Sequence, residues 1–107
     1  MHKCDPMNFN ISTVGSTATV YVQGKFDGTI RKDFNDAIRE AIRYPSATHI
    51  EVHLGSVHYI DSAACGMLLL LKAQAEAVGK SVFLSNAKGS VKQVLDVMNF
   101  HKLFQMA

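Results

Sequence analysis

The sequence IDSAACGMLLLLKAQAEAVG, residues 60–79, carries the strongest helix signal in the chain. Asp61 and Ser62 are residue types that begin helices, because their side chains accept hydrogen bonds from the first free backbone N–H groups. Gly79 is the residue type that most often ends a helix, since glycine adopts the left-handed conformation without steric cost. Together these signals predict a helix over about residues 62–78.

The first half of the predicted helix is apolar on every side, which is typical of a helix buried against a sheet and neighbouring helices. We therefore expect residues 67–71 (MLLLL) to lie in the core. Gly66 costs a helix interior about 1 kcal/mol relative to Ala, and we expect close packing against a neighbouring element to compensate. The apolar run 63–71 falls far short of the about 20 residues that a membrane span needs.

Strands are predicted on both sides of this helix, where apolar residues alternate with polar ones. The apolar positions of the four predicted strands are, in chain order, Phe9 and Ile11; Ala18, Val20 and Val22; Ile50, Val52 and Leu54; and Val82 and Leu84. A turn at Gly15-Ser16 joins the first two strands, and so short a connection predicts an antiparallel hairpin. Gly24 ends the second strand and Gly55 ends the third.

Helical spacing of apolar residues returns in two further segments. Residues 30–42 repeat apolar positions on one helical face and stop before Tyr44-Pro45, where proline disfavours helix in the preceding residue. The last part of the chain carries the apolar residues of a third helix and then of a packed tail: Val91, Val94, Leu95 and Met98, followed by Phe100, Leu103 and Phe104.

The resulting order of elements, β-β-α-β-α-β-α, predicts an α/β fold with a mixed β-sheet, an N-terminal β-hairpin and then alternating α and β. Right-handed crossovers put successive helices on one face of the sheet when the strand order does not reverse, so we expect the helices mainly on one face. Polar alternate residues in the second and third strands support a wetter opposite face. They are Thr19, Tyr21, Gln23, His49, Glu51 and His53.

The composition is that of an ordinary globular domain. The 107 residues are 48% hydrophobic and 19% charged, with a net charge of +2, so residues 1–107 are predicted to form a single domain. Lys and Arg are scattered among acidic residues, which argues against nucleic acid as a partner. The N-terminus lacks the apolar region of a signal peptide, and two cysteines, Cys4 and Cys65, suit a reducing compartment. We therefore expect a cytoplasmic protein without direct membrane insertion.

Ligands and partners usually meet sheets of this kind at the carboxyl ends of the parallel strands. Those ends carry residues 24–27 (GKFD), 55–62 (GSVHYIDS) and 85–86 (SN). Ser62 is the most informative residue, because the dipole of the following helix places partial positive charge there. It is either the N-cap of the helix or a phosphoacceptor, and the residues alone leave both interpretations open.

Three segments of the chain resemble the STAS domain of anti-sigma factor antagonists: 24–27 (GKFD), 60–71 (IDSAACGMLLLL) and 83–86 (FLSN). The resemblance extends over nearly the whole chain, and its most specific part is the Asp61-Ser62 pair before a glycine-containing apolar helix. It implies a mixed sheet with helices. It also implies a serine kinase, typically the anti-sigma factor itself, that phosphorylates the serine. The unphosphorylated antagonist sequesters this partner and frees the sigma factor, and a serine phosphatase resets the cycle.

Transferred residue by residue, the resemblance implies that Ser62 is the phosphoacceptor. The partner-binding residues that it implies are Asp27, Asp61, Ser62, Ala63 and Gly66. It implies a regulator of transcription rather than an enzyme, with no catalytic residues, no cofactor and no metal. Ala64 and Cys65 depart from the family pattern, in which Gly and Leu are common, and Cys65 is interpreted as a small core residue.

A second hypothesis follows from the same resemblance. STAS-like domains also occur as small cytoplasmic subunits of membrane transport assemblies, including lipid transporters. There the domain is a constitutive interaction module, and phosphorylation is not required.

A hydrolytic triad is a weaker interpretation of the same region. His58, Asp61 and Ser62 are the required residue types, but neighbours in sequence point in different directions, whereas a triad needs serine, histidine and aspartate in line. The chain also lacks the G-x-S-x-G motif.

Two further groups of polar residues have ordinary structural interpretations. His49, Glu51 and His53 share one face of a strand, and a metal site there would have an incomplete set of ligands, so a solvated face is expected. The charged side of the first helix is likewise expected to be solvated, with docking near Ser62 as the alternative. Its residues are Arg31, Lys32, Asp36, Arg39, Glu40 and Arg43.

Overall fold

A computed structural model of the chain describes residues 9–106, which are built around one mixed sheet; Cys4 lies outside the described residues. The strands are β1 (Phe9–Val14), β2 (Thr17–Phe26), β3 (His49–Ile60), β4 (Ser81–Ser85) and β5 (Gln105–Met106). They lie side by side in chain order. β1 is antiparallel to β2, and the later neighbours run parallel.

Within the described residues, a short 3₁₀ helix and four α-helices connect the strands. They are the 3₁₀ helix Gly28–Ile30, α1 (Arg31–Ile42), α2 (Ser62–Ala77), α3 (Gly89–Val97) and α4 (Phe100–Leu103). α1 contacts β1 and β2, whereas α2 contacts β3, β4 and α1. The predicted α/β class, mixed sheet and N-terminal hairpin are therefore confirmed. No helix in this part of the chain has the length and apolar character needed to cross a membrane.

One face of the sheet packs into the core with the apolar sides of the helices. Val20, Val52 and Leu84 are lateral neighbours on three strands, and all three side chains are fully buried. Phe34 of α1 and Leu68 of α2 belong to the same core. The two-residue period of the strands and the 3.6-residue period of the helices thus direct both sets of side chains into one interior.

The opposite face of the sheet is polar, which agrees with the prediction that the helices lie mainly on one face. Tyr21 is exposed there and Glu51 is partly buried. Two hydroxyl residues on this face are buried: Thr19, which was predicted to lie on the wetter face, is 8% exposed, and Ser85 is 3% exposed. Both donate hydrogen bonds to the Glu51 carboxylate, at 3.1 and 2.5 Å, so this side chain is held across three strands.

These hydrogen bonds also concern the possible metal site of His49, Glu51 and His53 on the same face. Residues 9–106 contain no group of three or more His, Cys, Asp or Glu side chains arranged to hold a metal ion. The Glu51 carboxylate accepts hydrogen bonds from the hydroxyls of Thr19 and Ser85. His53 accepts a hydrogen bond from the Gly55 N–H at 3.3 Å, and its ring centroid lies 5.0 Å from that of Tyr21. These residues therefore form an internally bonded sheet face.

β3 is longer than the sequence predicted. The prediction ended it at Gly55, whereas it continues to Ile60, and β2 continues past Gly24 to Phe26. Register shifts interrupt the pairing of these two strands, and a bulge of this kind changes which residues face the core. Val57, between the two shifts, and Ile60, beyond them, are both buried. The strict alternation of a strand is lost there, which is why the prediction stopped too early.

The C-terminal segment adds elements that the sequence pattern did not reveal. Phe100 and Phe104 are buried as predicted, with ring centroids 5.2 Å apart. Leu103 and Met98, also expected on the packed side, are 46% and 42% exposed. The chain then adds the short strand β5 beside β4, and two residues are too few for an alternating pattern to show.

The apolar run of α2 divides between the core and the surface. Leu68 and Leu71 are buried, but Leu69 and Leu70 are 40% and 48% exposed. The expectation that all of residues 67–71 lie in the core is therefore wrong for the two middle leucines. A helix that packs on one side exposes its opposite side whatever residues occupy it.

Candidate phosphorylation and partner-binding site

Two aspartates lie side by side at one edge of the sheet. β2 and β3 are parallel and end together, with Phe26 opposite Ile60. Asp27 and Asp61 directly follow these two residues, and the Asp61 N–H donates to the Phe26 carbonyl oxygen at 3.4 Å. The parallel pairing of the strands therefore brings together two aspartates that are far apart in sequence.

Asp27 begins the 3₁₀ helix and is held by Thr29. Its Oδ1 accepts hydrogen bonds from the Thr29 hydroxyl at 2.5 Å and from the Thr29 N–H at 3.0 Å. The hydroxyl bond, then the N–H bond, lowers the pKa of the Asp27 carboxyl below its usual value, because both favour the charged form. A Cβ built on Gly28 would lie 3.5 Å from the Cβ of Ala63. The segment after β2 thus lies close to the first turn of α2.

Asp61, rather than Ser62, is the N-cap of α2. Its backbone is extended, and its carboxylate accepts a hydrogen bond from the Ala64 N–H at 3.0 Å. Its carbonyl oxygen accepts from the Cys65 N–H at 3.1 Å, the first hydrogen bond of the helix. The interpretation of Ser62 as the cap is therefore wrong, because the preceding residue already has that role.

Ser62 is the first residue of α2, and its side chain is exposed. Among residues 9–106 its hydroxyl has no hydrogen-bond partner, and neither do the N–H groups of Ser62 and Ala63. Free N–H groups and the helix dipole give this position partial positive charge. The hydroxyl is thus accessible to another protein and lies where a negative group is favoured.

Gly66 lies one turn further along the same side of α2. It is exposed, and a Cβ built on it would meet nothing within 4 Å. The expectation that close packing within the chain compensates for this glycine is therefore wrong. The exposed side of the helix continues beyond it, and we call the set the α2 stripe: Ser62, Gly66, Leu69, Leu70 and Ala73.

Cys65 points to the other side of the helix and is 1% exposed. Burial, and secondly the negative charge of Asp61, raises the pKa of the Cys65 thiol. Since the thiolate is the reactive form, this cysteine is a core residue and not a redox site.

Iodoacetamide is expected to leave Cys65 unmodified in the folded Cys4→Ser variant at pH 7.5, and to label it fully in denaturant. The reason is that folding both buries the thiol and raises its pKa. Intact mass measured over time gives the extent of labelling. Rapid labelling of the folded variant, at the rate of free cysteine, would contradict the assignment.

The hydrolytic triad finds no support in this geometry. The Asp61 carboxylate accepts its hydrogen bond from the Ala64 N–H, and the Ser62 hydroxyl bonds to no histidine among the described residues. His58 is exposed on the preceding strand.

The charged side of α1 adjoins the site at one end only. Asp36 pairs with Lys32 at 3.1 Å and with Arg39 at 3.3 Å, and such exposed pairs contribute little to stability. A shallow groove along this side begins at Gly28, which lies close to Ala63. Most of the charged residues on this side of α1 are therefore interpreted as an ordinary solvated surface.

Replacing Asp61 by Ala is expected to lower the free energy of unfolding by about 0.5–2 kcal/mol, because the cap of α2 is lost. Asp61→Asn should retain most of the stability, since an asparagine oxygen can accept the same bond from the Ala64 N–H. Urea unfolding of the three proteins measures the difference. Equal losses in both variants would show that the charge of Asp61 is what stabilises the fold.

The chain belongs to the STAS domain family. The family model described as "Mlab, STAS domain" matches residues 9–105. A STAS-domain containing protein of Pseudomonas aeruginosa (strain UCBPP-PA14) is 34% identical over 96 residues, which cover 90% of this chain and 93% of that protein. The family predicted from the residues around Ser62 is therefore confirmed.

Solved structures share the fold at lower identity. An anti-sigma factor antagonist from Mycobacterium paratuberculosis has a TM-score of 0.75 at 16% identity, covering 92% of this chain and 82% of that one. The Bacillus cell fate determinant SpoIIAA in its phosphorylated form has a TM-score of 0.69 at 20% identity, covering 92% and 90%. A sulfate transporter family protein from Wolinella succinogenes has a TM-score of 0.70 at 14% identity, covering 82% and 70%. The fold is thus that of anti-sigma factor antagonists, and it is also found in a transporter family.

Three residues of this region were not found from the sequence. Thr29 fixes the Asp27 carboxylate, and a threonine two residues after an aspartate at a helix start is a weak signal for such a bond. Leu69 and Leu70 were assigned to the core. Within a run of four leucines, no polar residue marks the side that faces solvent.

Proposed function

We propose that this chain is an anti-sigma factor antagonist whose binding to a partner is switched by phosphorylation of Ser62. One observation carries the proposal: Asp61 caps α2, which leaves the Ser62 hydroxyl exposed and without a hydrogen bond in residues 9–106. A serine that a kinase modifies needs such an accessible hydroxyl. Serine is thus not required here for the structure of the helix.

Part of the surface around the unphosphorylated Ser62 is uncharged. Ala63 and Gly66 lie beside Ser62 on α2, and the carboxylates of Asp27 and Asp61 border it at the edge of the sheet. A partner that fits this surface closely meets a neutral hydroxyl. Phosphorylation replaces it with a larger group that carries nearly two negative charges next to two carboxylates.

Phosphorylation is therefore expected to weaken binding without unfolding the protein. The helix dipole and the free N–H groups of the first turn stabilise the phosphate in the modified protein itself. At the interface the phosphate adds volume. It must also lose its hydration, and a partner that fits the neutral serine has no hydrogen-bond donors in place to compensate. The switch acts on the contact with the partner and not on the fold.

The partner in this proposal is a serine kinase that also acts as an anti-sigma factor, and a serine phosphatase restores the unmodified form. The similarity to anti-sigma factor antagonists, and to a protein solved in a phosphorylated form, supports this assignment. The antagonist itself is proposed to act by binding alone, in the cytoplasm, with no catalytic residue or cofactor of its own.

Phosphosite mapping of the protein isolated from its own cells tests the proposal. We expect an intact-mass increase of one phosphate, located on Ser62 and absent from the Ser62→Ala variant. The kinase should be recovered with the unphosphorylated protein. No phosphate on Ser62 under any growth condition would overturn the switch.

A second candidate function is a constitutive subunit of a membrane transport assembly. The sulfate transporter family protein with the same fold favours this class. This function predicts that the protein co-purifies with a transport component rather than with a kinase. It also predicts that the Ser62→Asp variant binds the transport component as well as the unmodified protein does.

A further inference from the structure

We propose that the polar face of the sheet binds an arginine side chain of another protein, and that the Glu51 carboxylate receives its guanidinium group. This site is separate from the proposed switch, because Glu51 lies near the start of β3, whereas Ser62 follows the end of that strand. The inference starts from a charge that nothing in the described chain balances.

Glu51 is a partly buried carboxylate without a counter-charge. Within residues 9–106 it forms no ion pair, since the ion pairs of this part of the chain join other residues. Its partners are the neutral hydroxyls of Thr19 and Ser85. Removing a carboxylate from water is costly unless an opposite charge compensates. The position therefore favours a cation supplied from outside the chain.

The two hydroxyls leave acceptor positions on both oxygens of this carboxylate. Thr19 donates to Oε1 at 3.1 Å and Ser85 donates to Oε2 at 2.5 Å, so each oxygen accepts one hydrogen bond. A carboxylate oxygen can accept two, which leaves one position on each oxygen. A guanidinium group offers two parallel N–H donors to such a pair, whereas a lysine ammonium acts as a point charge.

The carboxylate is also fixed before anything binds. Thr19 lies on β2 and Ser85 on β4, so the two hydroxyls hold Glu51 from the strands on both sides of β3. Both hydroxyl residues are buried, which restricts their own movement. An acceptor that is already ordered loses little conformational freedom on binding, and this favours affinity.

Aromatic side chains surround the carboxylate on the same face. Tyr21 and His53 are lateral neighbours two residues beyond Thr19 and Glu51, and their ring centroids lie 5.0 Å apart. Phe83, partly buried, is the lateral neighbour of Glu51 on β4. Tyr21 is 36% exposed, so its ring is accessible. A planar guanidinium group stacks on aromatic rings while its N–H groups bind a carboxylate, which again favours arginine.

The form of this surface favours an arginine of a protein over a free guanidinium compound. The residues stand side by side on three neighbouring strands, and an open sheet face of this kind is flat. Sites for small molecules are usually concave and bury most of the ligand. A protein supplies further contacts around the arginine, so it can bind to a flat surface.

NMR titration of the purified protein tests the chemistry of the site. The probe is acetyl-argininamide, and the matched probes are acetyl-lysinamide, which has the same charge, and acetyl-citrullinamide, which is neutral. We expect shifts of the backbone amides around Glu51 on β2, β3 and β4, with the arginine probe binding at least about tenfold more tightly than the lysine probe. Absence of these shifts, or equal binding of the three probes, would overturn the inference.

Variants test the residues of the site. Glu51→Gln removes the charge and is expected to weaken the arginine probe about tenfold or more, whereas Glu40→Gln makes the same change on the exposed side of α1 and should have no effect. Tyr21→Ser should weaken the probe and Tyr21→Phe should not. Urea unfolding establishes that each variant folds, and Tyr21→Ser tests the site if Glu51→Gln does not. Normal binding by a folded Glu51→Gln or Tyr21→Ser variant would contradict the assignment.

The source of the guanidinium group is decided in the protein's own cells. Benzoylphenylalanine at position 21 keeps an aromatic ring there, and we expect it to cross-link to an arginine-containing segment of another protein. The cross-link should disappear when Glu51→Gln is added. A cross-link that persists in Glu51→Gln, no cross-link, or a small guanidinium compound found bound by native mass spectrometry would overturn the protein source.

The arginine site and the switch can fail separately. Ser62→Asp is expected to leave binding of the arginine probe unchanged, because the two positions lie at opposite ends of β3. If Ser62 carries no phosphate but the probe binds through Glu51, the switch fails and the arginine site stands. If Ser62 is phosphorylated but the probe causes no shifts, the arginine site fails and the switch stands.

Discussion

Replacing Leu68 by Ala is expected to lower the free energy of unfolding by roughly 2–5 kcal/mol. Leu68 is fully buried in the core shared by the sheet, α1 and α2. Removing its side-chain atoms beyond Cβ leaves a cavity that the neighbouring strands cannot fill without moving. For a domain with a total stability of about 5–15 kcal/mol, such a loss removes a substantial part of the free energy of unfolding.

The adjacent leucine is the matched control. Leu69→Ala removes the same atoms from a side chain that is 40% exposed, and the free energy of unfolding should change by at most about 0.5 kcal/mol. Urea unfolding followed by circular dichroism measures both variants. Equal losses would mean that α2 packs on both sides and that the α2 stripe is not a surface.

The contrast between these leucines shows how far the sequence alone determines this helix. Its limits could be predicted, because the Asp61-Ser62 pair and Gly79 are signals that act locally. Its orientation could not, because four identical leucines carry no information about direction. The side that faces the sheet is decided by contacts with strands that are distant in sequence.

The strands show a similar division. The hairpin and the first half of β3 could be predicted, because their alternating residues reflect one buried face. The second half of β3 could not, because its pairing with β2 contains register shifts that break the alternation. The two-residue strand β5 depends on β4 for its existence, so no local pattern marks it.

The candidate site was predictable in part for a related reason. Asp27 and Asp61 end neighbouring parallel strands, and the chain order of strands and helices is enough to place them at one edge. The roles within the site were harder to assign, since aspartate and serine are both good caps. The backbone of Asp61 decides between them, because its extended conformation directs the carboxylate to the Ala64 N–H.

Ser62→Asp is expected to weaken binding of the kinase partner about 5- to 150-fold relative to the unmodified protein, the range that corresponds to a coupling of 1–3 kcal/mol. Ser62→Ala should bind as the unmodified protein does, because the hydroxyl makes no hydrogen bond within residues 9–106 and its removal leaves the surface neutral. Aspartate carries less charge than phosphate, so phosphorylated protein should bind more weakly still. Isothermal titration with the purified kinase measures all three.

The loss of affinity must come from the position of the charge and not from a change in the fold. A negative charge in the first turn of α2 interacts favourably with the helix dipole. The Ser62→Asp variant should therefore unfold at the same urea concentration as the unmodified protein or at a higher one. Ser90 provides the matched control, since it is exposed in the first turn of α3. Ser90→Asp adds the same charge to the first turn of another helix, away from the α2 stripe, and should bind normally. If Ser90→Asp and Ser62→Asp weaken binding equally, the partner responds to net charge, and Ser62 is not the switch.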